Sequence, residues 1–117
     1  MAELVTQVSL MKIGIVISTN DPEAVWNAFR FGNEALNANH SAKVFLVNKG
    51  VEAEDVKNDM FNVKEQINLF IEAKGELFAC GTCMKARLKE SSTFCPIATL
   101  KDLLDIVEES DRILTFG

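Results

Sequence analysis

The chain has 117 residues, 48% of them hydrophobic, a length that supports one domain around a single core and leaves little room for a second lobe. Seventeen acidic residues against twelve basic ones give a formal net charge of -5, and the basic residues are scattered, so a nucleic-acid backbone is not the expected partner. No apolar run approaches the roughly eighteen residues that span a bilayer, and the first ten residues carry no basic leader, so the expected location is the cytoplasm with no membrane partner.

Residues 8–18 are rich in β-branched side chains and almost unbroken in apolarity, as a strand covered on both faces should be, and they are expected to form the central strand. Residues 1–10 are either an appended arm or an extension of that strand. Asn20-Asp21 followed by Pro22 supplies an N-cap and a first-turn proline, and Ala24, Val25, Ala28, Phe29, Gly32, Ala35 and Leu36 then recur at helical spacing as far as Asn37. Residues 43–48 form a second buried strand, ended by a turn at Lys49-Gly50. The acidic stretch 51–59 carries no clear period. Val63, Ile67, Phe70 and Ile71 mark a second helix that stops at Lys74-Gly75. Residues 76–79 read as a third strand, Thr99 opens a last helix, and residues 111–116 close the chain as a strand.

Such alternation predicts a mainly parallel sheet with helices on both faces and right-handed crossovers. Chemistry in open α/β sheets gathers at the carboxyl ends of the strands. Three segments should therefore meet there: 18–21, 48–50 and 80–83.

The last of these carries sulfur. Cys80-Gly81-Thr82-Cys83 lies where the third strand passes into helix-forming sequence, and a thiol at a helix start faces unpaired N–H groups that favour the thiolate. Lys85 and Arg87 lie within two turns and add positive charge. Cys80 is the candidate nucleophile, and its alternative is a small apolar residue ending a core strand. Cys83, one turn on, is either a resolving thiol or a packing residue. Cys95 precedes Pro96 in a loop and is assigned a structural or incidental role.

Other chemistries have weaker support. The lone histidine, His40, sits in a polar turn and reads as a solvated surface residue. Zinc held by Cys80, Cys83, Cys95 and His40 lacks the second close pair that marks structural sites. Gly14 and Gly32 build no phosphate loop. A thioredoxin-like fold shares the C-x-x-C but places it earlier in the chain. No cofactor is expected.

Taken together, Lys12-Ile13-Gly14-Ile15-Val16-Ile17, Asp21-Pro22-Glu23, Lys43-Val44-Phe45-Leu46, Ala79-Cys80-Gly81-Thr82-Cys83 and Ser110-Asp111-Arg112-Ile113-Leu114-Thr115-Phe116 resemble the DsrE/DsrF family, which includes the DsrEFH and TusBCD sulfur-relay proteins. The resemblance implies a three-layer α/β/α sandwich with a four- to five-stranded, mainly parallel sheet. It also implies trimers or hexamers, and a persulfide carried on the cysteine after the third strand, here Cys80. Gly81 and Thr82 would support the outer sulfur through their backbone N–H groups, and sulfur donor and acceptor proteins would be the partners. A Cys80/Cys83 dithiol redox protein and a non-enzymatic oligomeric binding module are the competing readings. The surplus of phenylalanines, among them Phe29, Phe31, Phe61, Phe70 and Phe94, points to a subunit interface.

Overall fold

The computed structural model describes residues 9–89 and 96–117, so Cys95, Phe94 and residues 1–8 lie outside the described residues. Among the described residues five strands form one sheet: β1 (Lys12–Ile17), β2 (Ser41–Leu46), β3 (Glu76–Cys80), β4 (Ile97–Ala98) and β5 (Arg112–Phe116). Their order across the sheet is β4-β3-β2-β1-β5, and every pairing is parallel. The middle strand is therefore β2, with β1 beside it, where the apolarity of residues 8–18 points to β1. Strand β1 is shorter than that apolar run because its partners reach only from Lys12 to Ile17. The two-residue β4 is an addition to the four expected strands.

Among the described residues four α-helices connect the strands: α1 (Pro22–Asn37), α2 (Val63–Glu72), α3 (Gly81–Ala86) and α4 (Leu100–Glu109). Asp21 caps α1 through its carboxylate, which accepts the Ala24 N–H at 2.9 Å, with Pro22 in the first turn as expected. Thr99 and Asp102 form a reciprocal capping box at the start of α4, and the Thr99 N–H holds the Asp102 carboxyl below the usual carboxylate range. Lys74, not Gly75, takes the left-handed conformation after α2, at φ 75. Gly75 serves packing instead, because a Cβ there would fall 2.5 Å from the Phe70 ring.

Alternation along β1 assigns the layers. Ile15 faces Gly32 of α1 and the Phe70 ring of α2, whereas Gly14 leaves room for Ile106 and Ser110 at α4 on the opposite face. The result is the three-layer α/β/α arrangement. Under α1 and α2 the core holds Ile13, Ile15, Ile17, Val44, Leu46 and the edge-to-face pair Phe29–Phe70, whose ring centroids are 5.6 Å apart. On the other face Lys43 pairs with Glu109 of α4 and with Glu76 at 3.8 Å; the hydrogen bond to Glu109 is the main reason its pKa is raised. This ion pair bolts α4 to the sheet.

The acidic stretch after β2 folds as a 3-10 segment, Asn48–Asp55, in place of the simple turn expected at Lys49-Gly50. Val51 and Ala53 are buried, which explains why a stretch without a helical period is nonetheless ordered. His40 departs from its expected solvated role: its Nδ1 accepts the Met11 N–H at 2.9 Å and ties the start of β2 to the approach to β1.

Candidate functional site

The carboxyl ends of β1, β2 and β3 lie side by side, and the three loops that follow them meet as the topology requires. Asn20, after β1, donates through Nδ2 to Glu52 Oε1 at 2.9 Å. Glu52, in the 3-10 segment after β2, pairs through Oε2 with Arg87 Nε at 3.5 Å. Arg87, just past α3, also donates from one terminal nitrogen to the Cys83 carbonyl at 3.1 Å.

The two thiols occupy different environments within this edge. Cys80 is the last residue of β3 and the N-cap position of α3, where its side chain makes no capping bond. It is only 4% exposed and, by register, shares a sheet face with Phe78 and Ala98. Cys83, one turn later, is half-buried. Its Sγ accepts the backbone N–H of Asn48 at 3.2 Å.

That contact was not legible in the sequence. Asn48 holds a left-handed conformation, φ 54, which turns its N–H toward α3. Asn tolerates this region better than most residues, so an Asn two residues past a buried strand was the available signal.

Burial pushes the Cys83 thiol up from its ordinary pKa; the Asn48 N–H works against this, the adjacent Cys80 thiol adds to the rise, and the Arg87 charge partly offsets it. The neutral thiol is therefore favoured in the folded chain. Alkylation of Cys83 should reach its half-maximal rate at a higher pH in the native protein than in the urea-unfolded chain. Peptide-resolved mass spectrometry over a pH series checks this, and a native profile lying below the unfolded one would contradict it.

The remaining expected site residues divide between the two sides of α3. Gly81 and Thr82 open the helix, and with Lys85, Lys89 and Ile97 they line an open cleft of about 450 Å³ beside Cys80. Lys85 is exposed at this cleft. Arg87 lies on the other side, engaged with Cys83 and Glu52 instead of with Cys80. The expected zinc set does not converge: His40 precedes the start of β2, whereas Cys80 ends β3 and Cys83 follows it, so the parallel sheet separates them. No helix among the described residues is long and apolar enough to cross a membrane.

Comparison with known proteins gives the same architecture. The uncharacterised protein MJ0989 of Methanocaldococcus jannaschii is 34% identical over 115 residues, covering 91% of this chain and 100% of that one. The uncharacterised protein MK0008 of Methanopyrus kandleri is 33% identical over 100 residues, covering 80% and 83%. A solved structure of the conserved protein of unknown function BT1422 from Bacteroides thetaiotaomicron superposes with a TM-score of 0.71 at 16% identity, over 89% of this chain and 93% of that one, and so shares its fold. The DsrE/DsrF-like family matches residues 11–116, nearly the whole chain, and the protein belongs to that family.

Proposed function

We propose that the protein is a small persulfide carrier, a sulfurtransferase-type relay subunit working without a cofactor, in which Cys83 meets the sulfur donor and Cys80 stores the sulfur. The observation that carries this reading is the pair of thiols at the end of β3, one buried and one half-open with a backbone N–H on its sulfur. Sulfur-relay chemistry is also what membership of the DsrE/DsrF-like family suggests.

The chemistry is thiol exchange. The Cys83 thiolate attacks the outer sulfur of a donor persulfide; the donor's S–S bond breaks, its thiolate leaves, and Cys83 carries the new persulfide. The Cys80 thiolate then attacks that outer sulfur, forming a persulfide on Cys80 and returning Cys83 to its thiolate. No electrons are gained or lost overall. Release to an acceptor thiol reverses the order. Burial of Cys80 keeps the stored sulfur from water and stray thiols, and the N–H groups of Gly81 and Thr82 at the start of α3 support its charge. A reducing cytoplasm suits a site that depends on free thiols.

The adjacency of the thiols also supports the dithiol reading. There Cys80 attacks the inner sulfur of the Cys83 persulfide, a Cys80–Cys83 disulfide forms, and hydrosulfide leaves. Incubation with a polysulfide followed by intact mass analysis separates the two. The carrier gains one sulfur atom per chain, mapped to Cys80 or Cys83; the redox protein loses two hydrogens. Sulfur found only on Cys95 would end both readings.

We also assign self-association, as a homotrimer or homohexamer, to the face of α4. Leu100, Leu104 and Val107 recur at helical spacing and are 65%, 54% and 46% exposed, so three of this helix's five large apolar residues are uncovered. Of the phenylalanines expected at an interface, Phe29 and Phe70 are fully buried and Phe61 packs on Trp26 at 5.2 Å, whereas Phe31 is 38% exposed and Phe94 lies outside the described residues. Light scattering should give a multiple of the chain mass at micromolar concentration, and Leu104→Glu should reduce it to the monomer. A monomeric parent protein overturns the assignment.

A further inference from the structure

We infer that a cleft next to α3, which shares Arg87 with Cys83, seats a small, negatively charged thiol or its persulfide, the compound with which the Cys83 sulfur exchanges; this rests on the proposed role of Cys83, the less buried of the two thiols, in meeting the donor. The cleft, about 430 Å³, is bounded by Asn20, Glu52, Asp55, Lys57, Arg87 and Lys89. All three strand-end loops contribute to it, and its size suits a small molecule better than a protein loop. Arg87 joins it to the thiol, since the same side chain that lines the cleft bonds the Cys83 carbonyl and lends charge to the Cys83 thiolate.

The charges in the cleft decide what it would hold. Glu52 has both oxygens engaged, one by Asn20 and one by Arg87. Lys89 is paired with Asp55. Lys57 is exposed and has no ion-pair partner among the described residues. Three cations against two carboxylates therefore leave one uncommitted positive charge, placed to receive a carboxylate on the bound thiol. The chain as a whole carries a formal net charge of -5, so its overall field attracts cations. A preference for an anion at Cys83 would thus be local to the cleft.

The full-length Cys80→Ser/Cys95→Ser chain, which keeps Cys83 as its single thiol, makes the preference measurable. Its rate of mixed-disulfide formation is read with three symmetric disulfides: those of 3-mercaptopropionate (anionic), 2-mercaptoethanol (neutral) and cysteamine (cationic). Each rate is divided by the rate of the same reagent with the urea-unfolded chain. At low salt the normalised anionic rate should exceed the cationic one about tenfold, and salt should shrink the gap. Lys57→Glu should abolish the preference and Lys57→Arg should retain it. Equal normalised rates, a preference untouched by Lys57→Glu, or a Cys83 that reacts with none of the three reagents would overturn the inference. These rates involve no sulfane sulfur. A flat series therefore leaves the carrier reading standing, and a failure of persulfide loading leaves the charge result intact.

Discussion

Replacing Cys80 should abolish retained sulfane sulfur, whereas Cys83→Ser should slow its uptake about tenfold, the equivalent of about 1.4 kcal/mol in the barrier, and leave the final level unchanged. The asymmetry follows from burial. The sulfur of a residue that is only 4% exposed cannot readily meet a bulky donor, but once loaded it is protected from the solvent and thiols that would strip it. Cys83 differs on both counts: it is half-buried where Cys80 is fully buried, and the Asn48 N–H on its sulfur supports the thiolate that must form during exchange. Cys80→Ser places a hydroxyl in an apolar site, so Cys80→Ala should be measured beside it to separate lost chemistry from lost stability. Loading is followed by intact mass against time with a polysulfide donor. Retention of sulfur by both Cys80 variants would refute storage at that residue. Parental kinetics in Cys83→Ser would remove Cys83 from the path.

The extent to which these features were legible depends on whether each was written locally. Helix α1 carried its own boundaries, because Asp21, Pro22 and the repeating apolar positions act within one segment. The start of β2 did not: Ser41 is polar and exposed, and it belongs to the strand only because it pairs with Lys12. Strand β4 has two residues and is defined by pairing with Ala79 and Cys80, so no period could reveal it. The 3-10 segment buries Val51 and Ala53 against elements distant in sequence, and its acidic composition hid that.

The site divides in the same way. The thiol pair and its place at a strand-to-helix junction were legible because C-x-x-C is local and parallel topology puts that junction at the functional edge. The sequence left Cys80 either a nucleophile or a small apolar residue ending a core strand, and could not decide between them; in the fold Cys80 is buried, Cys83 is half-buried, and Cys80 pairs with Ala98, a residue eighteen positions on. The Glu52–Arg87 and Asn20–Glu52 links likewise join separate loops, and each residue alone reads as a solvated polar group.

Gly50→Ala should destabilise the fold by about 2–3 kcal/mol, at the upper end of what overpacking of one methyl costs, and should disable the site along with it. A Cβ at Gly50 would run into the backbone carbonyl of Ile17, with the carbonyl carbon 2.8 Å away and the Ser18 nitrogen at 3.4 Å. Neither side can yield cheaply. The Ile17 carbonyl accepts the Val47 N–H at 2.9 Å, and the Gly50 N–H is itself bonded to the Val47 carbonyl at 2.9 Å. The relief available is an outward shift of the 3-10 segment. That segment begins at Asn48, so the shift draws the Asn48 N–H away from Cys83 and moves Glu52 off Arg87. Urea titration should show a lower midpoint with an unchanged slope, and persulfide uptake should fall toward the rate of Cys83→Ser. Lys49→Ala, at the exposed neighbouring position, should stay within about 0.5 kcal/mol of the parent. A Gly50→Ala chain as stable as the parent would show that the 3-10 segment yields without resistance. It could then not be the element that holds the Asn48 N–H against the sulfur.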